Sequence, residues 1–228
     1  MVKGKWICSS YTAQDICPIF RKKIKFQKKI VKAELYISAL GVYEAFINDE
    51  RVSNYVLAPG WTAYQKRIQY QIYNITDMLN GDDTLDIYLG KGWYSSPMPG
   101  WFESKEKTQR KERHTGIIAS VCLTYEDGNS TYIGTDDSWL WSESEIRFSE
   151  IYDGETYDAT VKRQWKNALE FDGPDDCLIL QEGEEICEIE RVAAQKILTT
   201  SRGEVLVDFG QEITGYVEFS VNGRAGEE

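Results

Sequence analysis

The sequence predicts an all-β protein built from two successive units. Three observations carry that prediction. Short runs alternate apolar and polar residues with a period of two, turn dipeptides such as Asn48-Asp49, Pro59-Gly60 and Asp127-Gly128 separate them, and no long helical periodicity, internal repeat or low-complexity tract interrupts the pattern.

In chain order, residues 6–20 are irregular and read as an extended lead-in lying against a sheet. Residues 21–30 set Ile24 and Phe26 against a row of lysines, a half-buried strand whose charged face suits a sheet edge. Leu35, Ile37 and Ala39 share one face of the next strand, and Tyr43, Ala45 and Ile47 repeat the pattern after Gly41. Asn48-Asp49 tolerates positive φ and predicts a tight turn. Pro59-Gly60 predicts a type II turn with Pro at the first corner, and Trp61 follows directly. Ile68, Tyr70 and Ile72 oppose Arg67, Gln69 and Gln71 in a further strand, residues 76–81 suggest one short helical turn, and Leu85, Ile87 and Leu89 make another strand that ends at Gly92-Trp93-Tyr94. Residues 95–113 read as a long surface loop with Trp101 in it, and loops of that length are commonly functional.

Strands resume over 117–125 and 132–133, and the stretch to Trp165 completes the first unit, residues 1–166. Residues 167–176 are acidic and hold Gly173-Pro174, a linker composition. The strands beyond it, in residues 167–228, amount to roughly half of a sandwich domain, which predicts a second unit cut short within a larger protein. Unpaired edges in such a unit would favour a homodimer.

Composition narrows the partners. At 228 residues with 42% hydrophobic content there is ample core, and a net charge of −11 opposes nucleic acid or an anionic membrane surface as a ligand. The five cysteines form an odd set without a C-x-x-C pair and read as free thiols of a reducing compartment. With no apolar leader and no run near the ~18 apolar residues of a membrane span, the expected location is cytoplasmic. A single histidine, His114, leaves little room for histidine-based catalysis or metal binding.

The arrangement of specific residues resembles the N-terminal part of bacterial α-L-rhamnosidases. The likeness rests on Gly41-Val42-Tyr43-Glu44 with Ile47-Asn48, on Ala58-Pro59-Gly60-Trp61-Thr62 with Tyr64 and Lys66-Arg67, and on Gly92-Trp93-Tyr94. It continues through Ser138-Trp139, Ile151-Tyr152-Asp153-Gly154-Glu155 with Tyr157-Asp158-Ala159, and Val207-Asp208-Phe209-Gly210-Gln211. The resemblance implies a jelly-roll, galactose-binding-like β-sandwich followed by the start of a second, concanavalin-like sandwich. It also implies that the catalytic carboxylates reside in a helical barrel of the same parent chain, so that this region is a non-catalytic accessory of a glycosidase acting on rhamnose-containing glycans. Calcium is the cofactor the resemblance brings with it.

The candidate carbohydrate-binding residues are Trp61, Trp93, Tyr94 and Trp101, each on or near glycine, with Asn48 and Asn54 as hydrogen-bonding neighbours. Aromatic faces receive the apolar face of a sugar while side-chain amides fix its hydroxyls, although a tryptophan after a turn serves equally well as a plug over a sandwich core. Trp139, Trp141 and Trp165 read as core. Asp153 and Asp158 are the candidate calcium ligands, against the reading of solvated turn residues. No carboxylate pair stands out from the 37 acids as a hydrolytic couple, and no catalytic residue is assigned.

Overall fold

The computed structural model describes residues 2–10, 16–96, 113–220 and 222–224. They divide into two compact units, Met1–Cys187 and Glu188–Glu228. The first holds strands β1 (Trp6–Cys8), β2 (Pro18–Lys25), β3 (Ile30–Leu40), β4 (Val42–Ile47), β5 (Glu50–Arg51), β6 (Ile68–Asn74) and β7 (Asp82–Gly90), then a one-turn helix α1 (Gly92–Ser95). It continues with β8 (Gly116–Tyr125), β9 (Ser130–Gly134), β10 (Leu140–Glu143), β11 (Ile146–Glu150), β12 (Gly154–Tyr157), β13 (Lys166–Asn167), β14 (Leu169–Phe171) and β15 (Leu178–Leu180).

Two sheets face each other. One has the order β14-β1-β8-β3-β6-β15, with β9 also on β8, and the other β13-β10-β2-β7-β4-β5. The period-two alternation explains the packing: Ala33, Leu35, Ile37 and Ala39 of β3 and Ile117, Ala119, Val121 and Leu123 of β8 point inward. They meet Tyr43, Ala45 and Ile47 of β4 and Leu85, Ile87 and Leu89 of β7. Each leucine, isoleucine or valine so buried contributes about 1.5–3 kcal/mol relative to exposure. Between β3 and β4 the chain passes from one sheet to the other through Gly41 alone. Its φ is +150°, and an added Cβ would stand 2.3 Å from the Gly90 carbonyl oxygen, so no other residue fits this corner.

Several local expectations change. The lysine-bearing strand β2 lies inside its sheet, between β10 and β7, because β7 offers a partner to each outward cation: Asp86 to Arg21, Thr84 to Lys23 and Asp82 to Lys25. The turn at Pro59 spans Leu57–Gly60, closed by the Gly60 N–H donating to the Leu57 carbonyl at 2.9 Å, with a cis Ala58–Pro59 bond at its third position rather than a type II corner. The acidic stretch after 166 does not leave the sandwich. Leu169 and Phe171 belong to β14, paired with β1, and β15 runs parallel to β6, so the first compact unit extends to Cys187. The Trp6 indole N–H donates to Asp175 at 2.8 Å and fixes the crossing between these two strands.

The second unit contains a hairpin of β16 (Lys196–Thr199) and β17 (Val205–Asp208), registered from Lys196 opposite Asp208 to Thr199 opposite Val205. Its apolar side chains, Ile197 and Val205 among them, are exposed.

All five cysteines are unpaired, with Cys8, Cys17 and Cys122 buried. Burial raises the Cys8 thiol and pushes Cys17 up to about 12, the carboxylate of Glu155 adding to the effect. A thiol-specific alkylating reagent applied to the native protein at neutral pH is therefore expected to modify Cys177 and Cys187 and to spare Cys8 and Cys17, because the thiolate is the nucleophile. Peptide mass mapping checks this, and early labelling of Cys17 would contradict the buried placement.

Candidate functional site

A second apolar cluster lies on the outer face of the seven-stranded sheet. Leu40, Ile68 and Ile118 point outward from β3, β6 and β8, and Tyr64, Trp93 and Tyr94 cover them. Here two turn regions converge. The chain entering β6 supplies Trp61 and Tyr64, and α1 supplies Trp93 and Tyr94. Trp61 and Trp93 stack with centroids 6.0 Å apart and planes inclined by 12°, while Tyr64 and Tyr94 meet edge to face at 5.2 Å and 86°. Tyr64 is buried, whereas Trp61 keeps 48% of its surface exposed. The cluster thus has an anchored side against the sheet and an aromatic side toward solvent.

Glycine makes the approach of α1 feasible. Gly92 has φ +49°, and an added Cβ would stand 2.5 Å from Val42 Cγ1 at the start of β4. Arg113 closes the other flank by donating from Nη1 to the Tyr94 carbonyl at 3.1 Å, with its guanidinium 5.4 Å from the Tyr94 ring centre. Burial raises the Tyr94 phenol, and Arg113 partly offsets that shift.

The structure brings Trp61, Trp93 and Tyr94 together and engages the side chains of Asn48 and Asn54 in other contacts. Asn48 stands at the β4–β5 turn with φ +50°, followed by Asp49 at +68°. Its side chain is spent on the framework, Nδ2 donating to Asp83 at 2.7 Å and Oδ1 accepting from the Thr84 N–H at 2.9 Å. Asn54 is exposed, and its Oδ1 accepts from the Cys187 thiol at 3.4 Å. Trp101 lies outside the described residues. Asp153 and Asp158 flank the four-residue strand β12 at opposite ends, Asp153 in the turn before it. Asp158 caps its own turn by accepting from the N–H and hydroxyl of Thr160, which lowers its pKa. The two carboxylates do not form one donor set, and among the described residues no three His, Cys, Asp or Glu side chains gather as a metal site.

Sequence reasoning missed Tyr64 and Arg113 as parts of this cluster, and it misplaced Trp165. Trp139 and Trp141 are core residues. Trp165 instead lies over the guanidinium of Arg21 at 4.3 Å, on the outer face of the six-stranded sheet, where Arg21 also pairs with Asp86 in a two-pronged contact at 2.7 and 2.6 Å. Beside them Tyr88 donates to Glu145 at 2.8 Å, and Arg163 pairs with the same carboxylate at 3.1 Å. These contacts hold the segment after β12 against the sheet.

Comparison with known proteins agrees with this architecture. An α-L-rhamnosidase structure from Aspergillus terreus superposes with a TM-score of 0.82 at 32% identity, covering 92% of this chain and 26% of that one. The Streptomyces avermitilis α-L-rhamnosidase solved in complex with L-rhamnose gives a TM-score of 0.74 at 28% identity, over 86% of this chain and 20% of that one. By sequence, an α-L-rhamnosidase of Formosa agariphila is 32% identical across 91% of this chain and 23% of its own length. The fold and these likenesses define the class, an all-β domain of glycoside hydrolases. Within it, the chain belongs to the α-L-rhamnosidase N-terminal domain family, whose sequence profile matches residues 28–179. It spans about a quarter or less of the relatives it matches, 23% and 20% of two of them.

Proposed function

We propose that this chain serves as the glycan-engaging N-terminal region of an α-L-rhamnosidase, receiving rhamnose-terminated saccharides on the Trp61–Trp93 platform and supporting a catalytic portion of the same protein. The observation that carries the reading is the stacked ring pair at 6.0 Å with Trp61 left 48% exposed. A pyranose lays its C–H face on such a ring, and polar groups at the rim of such a site order its hydroxyls. L-rhamnose suits an aromatic platform because its 6-deoxy carbon adds a methyl group to the apolar surface of the sugar. The supporting role draws on the framework itself, since Asn48 and Asp83 tie turns together instead of facing a ligand.

Calorimetric titration with L-rhamnose tests the binding role. The wild-type chain is expected to bind with a millimolar or tighter Kd, and Trp61→Ala to weaken binding about tenfold, the loss of about 1–1.5 kcal/mol of ring contact. Arms with calcium and with chelator show whether an ion assists, and an aryl-rhamnoside assay shows whether hydrolysis resides elsewhere. Absence of heat in both arms would overturn the binding role and leave support alone.

A further inference from the structure

Helix α1 has four residues, Gly92–Ser95, too few for a self-sustaining hydrogen-bonded turn. Its position must therefore be imposed by what it touches. One contact is the Gly92–Val42 approach already described. Another is Glu150, the last residue of β11, whose side chain is only 4% exposed. Its Oε1 lies 3.2 Å from Nζ of Lys91, the residue before α1, and its Oε2 accepts from the hydroxyl of Ser96, the residue after α1. The Lys91 ammonium also lies 6.0 Å from the ring centre of Phe148 on the same strand. One buried carboxylate thus grips both ends of the turn that carries Trp93 and Tyr94.

We infer that Glu150 is the positioning residue of the aromatic platform: it fixes Trp93 beneath Trp61 by holding α1 at both ends, without touching the saccharide itself. The chemistry suits that task. A charge-assisted pair to Lys91 and a hydroxyl bond to Ser96 use separate carboxylate oxygens, so they define a direction as well as a distance. Shielding from water leaves the pair little competition from solvent. The functional meaning rests on the saccharide reading of Trp61 and Trp93, whereas the geometric claim concerns the ring pair alone.

Stacked indoles 6.0 Å apart couple their transitions, and the in-plane skew of their transition dipoles turns that coupling into an exciton couplet, measured as the circular dichroism of the native chain minus that of Trp61→Phe. Trp61→Phe defines the spectrum with the couplet lost. In the full chain, Glu150→Ala is expected to reduce the couplet to that level and to weaken L-rhamnose binding about tenfold or more. Glu150→Gln, which keeps the shape and can still accept from Ser96, should retain part of both. A cooperatively folded Glu150→Ala protein with an intact couplet would overturn the inference. Should that variant fail to fold, Ser96→Ala and Lys91→Met each remove one arm. Each should diminish the couplet, and an undiminished couplet in both would overturn the inference equally. If the wild-type chain gives no heat with rhamnose, the saccharide reading fails while the couplet still decides the role of Glu150.

Discussion

Replacing Asp83 with alanine is expected to cost the fold about 3–5 kcal/mol, seen as a lowered urea midpoint with an unchanged slope. Asp83 is fully buried, and among the described residues it forms no ion pair. Instead its carboxylate accepts from the Asn80 N–H at 3.1 and 3.0 Å, the Gly81 N–H at 2.9 Å and the Asn48 side-chain amide at 2.7 Å. These donors come from the chain entering β7 and from the β4–β5 turn, so one residue joins two corners of the sandwich. Alanine leaves all three donors without their acceptor, two of them on the exposed turn residues Asn48 and Asn80. Asparagine keeps one acceptor but turns an amide toward the N–H groups, and an intermediate loss of about 2–3 kcal/mol is expected. An alanine variant within about 1 kcal/mol of wild type would show that water reaches the site and replaces the carboxylate.

Alkaline pH is the second condition expected to act strongly. Burial raises the phenols of Tyr43, Tyr73 and Tyr88 well above their ordinary 10.0 and pushes Tyr36 up to about 12. Burial likewise carries the Cys17 thiol from 9.0 to about 12. Each is an acid that folding keeps protonated. Its contribution is therefore fully present below the unfolded pKa and is lost as pH rises toward the folded value. Stability should hold to about pH 9 and then fall steeply, several groups acting together. The Tyr43 and Tyr73 hydroxyls, 3.1 Å apart in the core, are the costliest to ionise as neighbours. Urea midpoints measured from about pH 7 to 11 check this, and a flat profile would mean that these phenols ionise without opening the core.

Much of the sandwich is legible in the sequence because its central strands announce themselves locally. Leu35, Ile37 and Ala39 alternate, as do Leu85, Ile87 and Leu89, and each set reaches the core face. Phe171 and Leu178 carry no such signal. Their strands have three residues each, set among acids that read as a linker, and their order comes from partners far away in sequence, Trp6 and Ile68. The aromatic platform is legible only in part for the same reason. Glycine beside Trp61 and Trp93 marks both as special, but nothing local states that the two rings stack. That depends on a corner at Pro59, on α1, and on Glu150 holding it. Asn48 shows the converse case, since a polar residue in an exposed turn invites a ligand, while its actual partner, Asp83, sits in another strand.

The placement of β1 bears on how the protein is made. Its two neighbours in the sheet are β8, which begins at Gly116, and β14, which ends at Phe171. The indole that tops it waits for Asp175, 169 residues downstream. During synthesis, then, β1 is made before both of its partners: it has no pairing edge to join until β8 emerges, and its second edge stays open until β14 follows. Closing so long a loop costs entropy that only the finished sheet repays. A strand made before both of its neighbours is therefore among the last of its sheet to find its place.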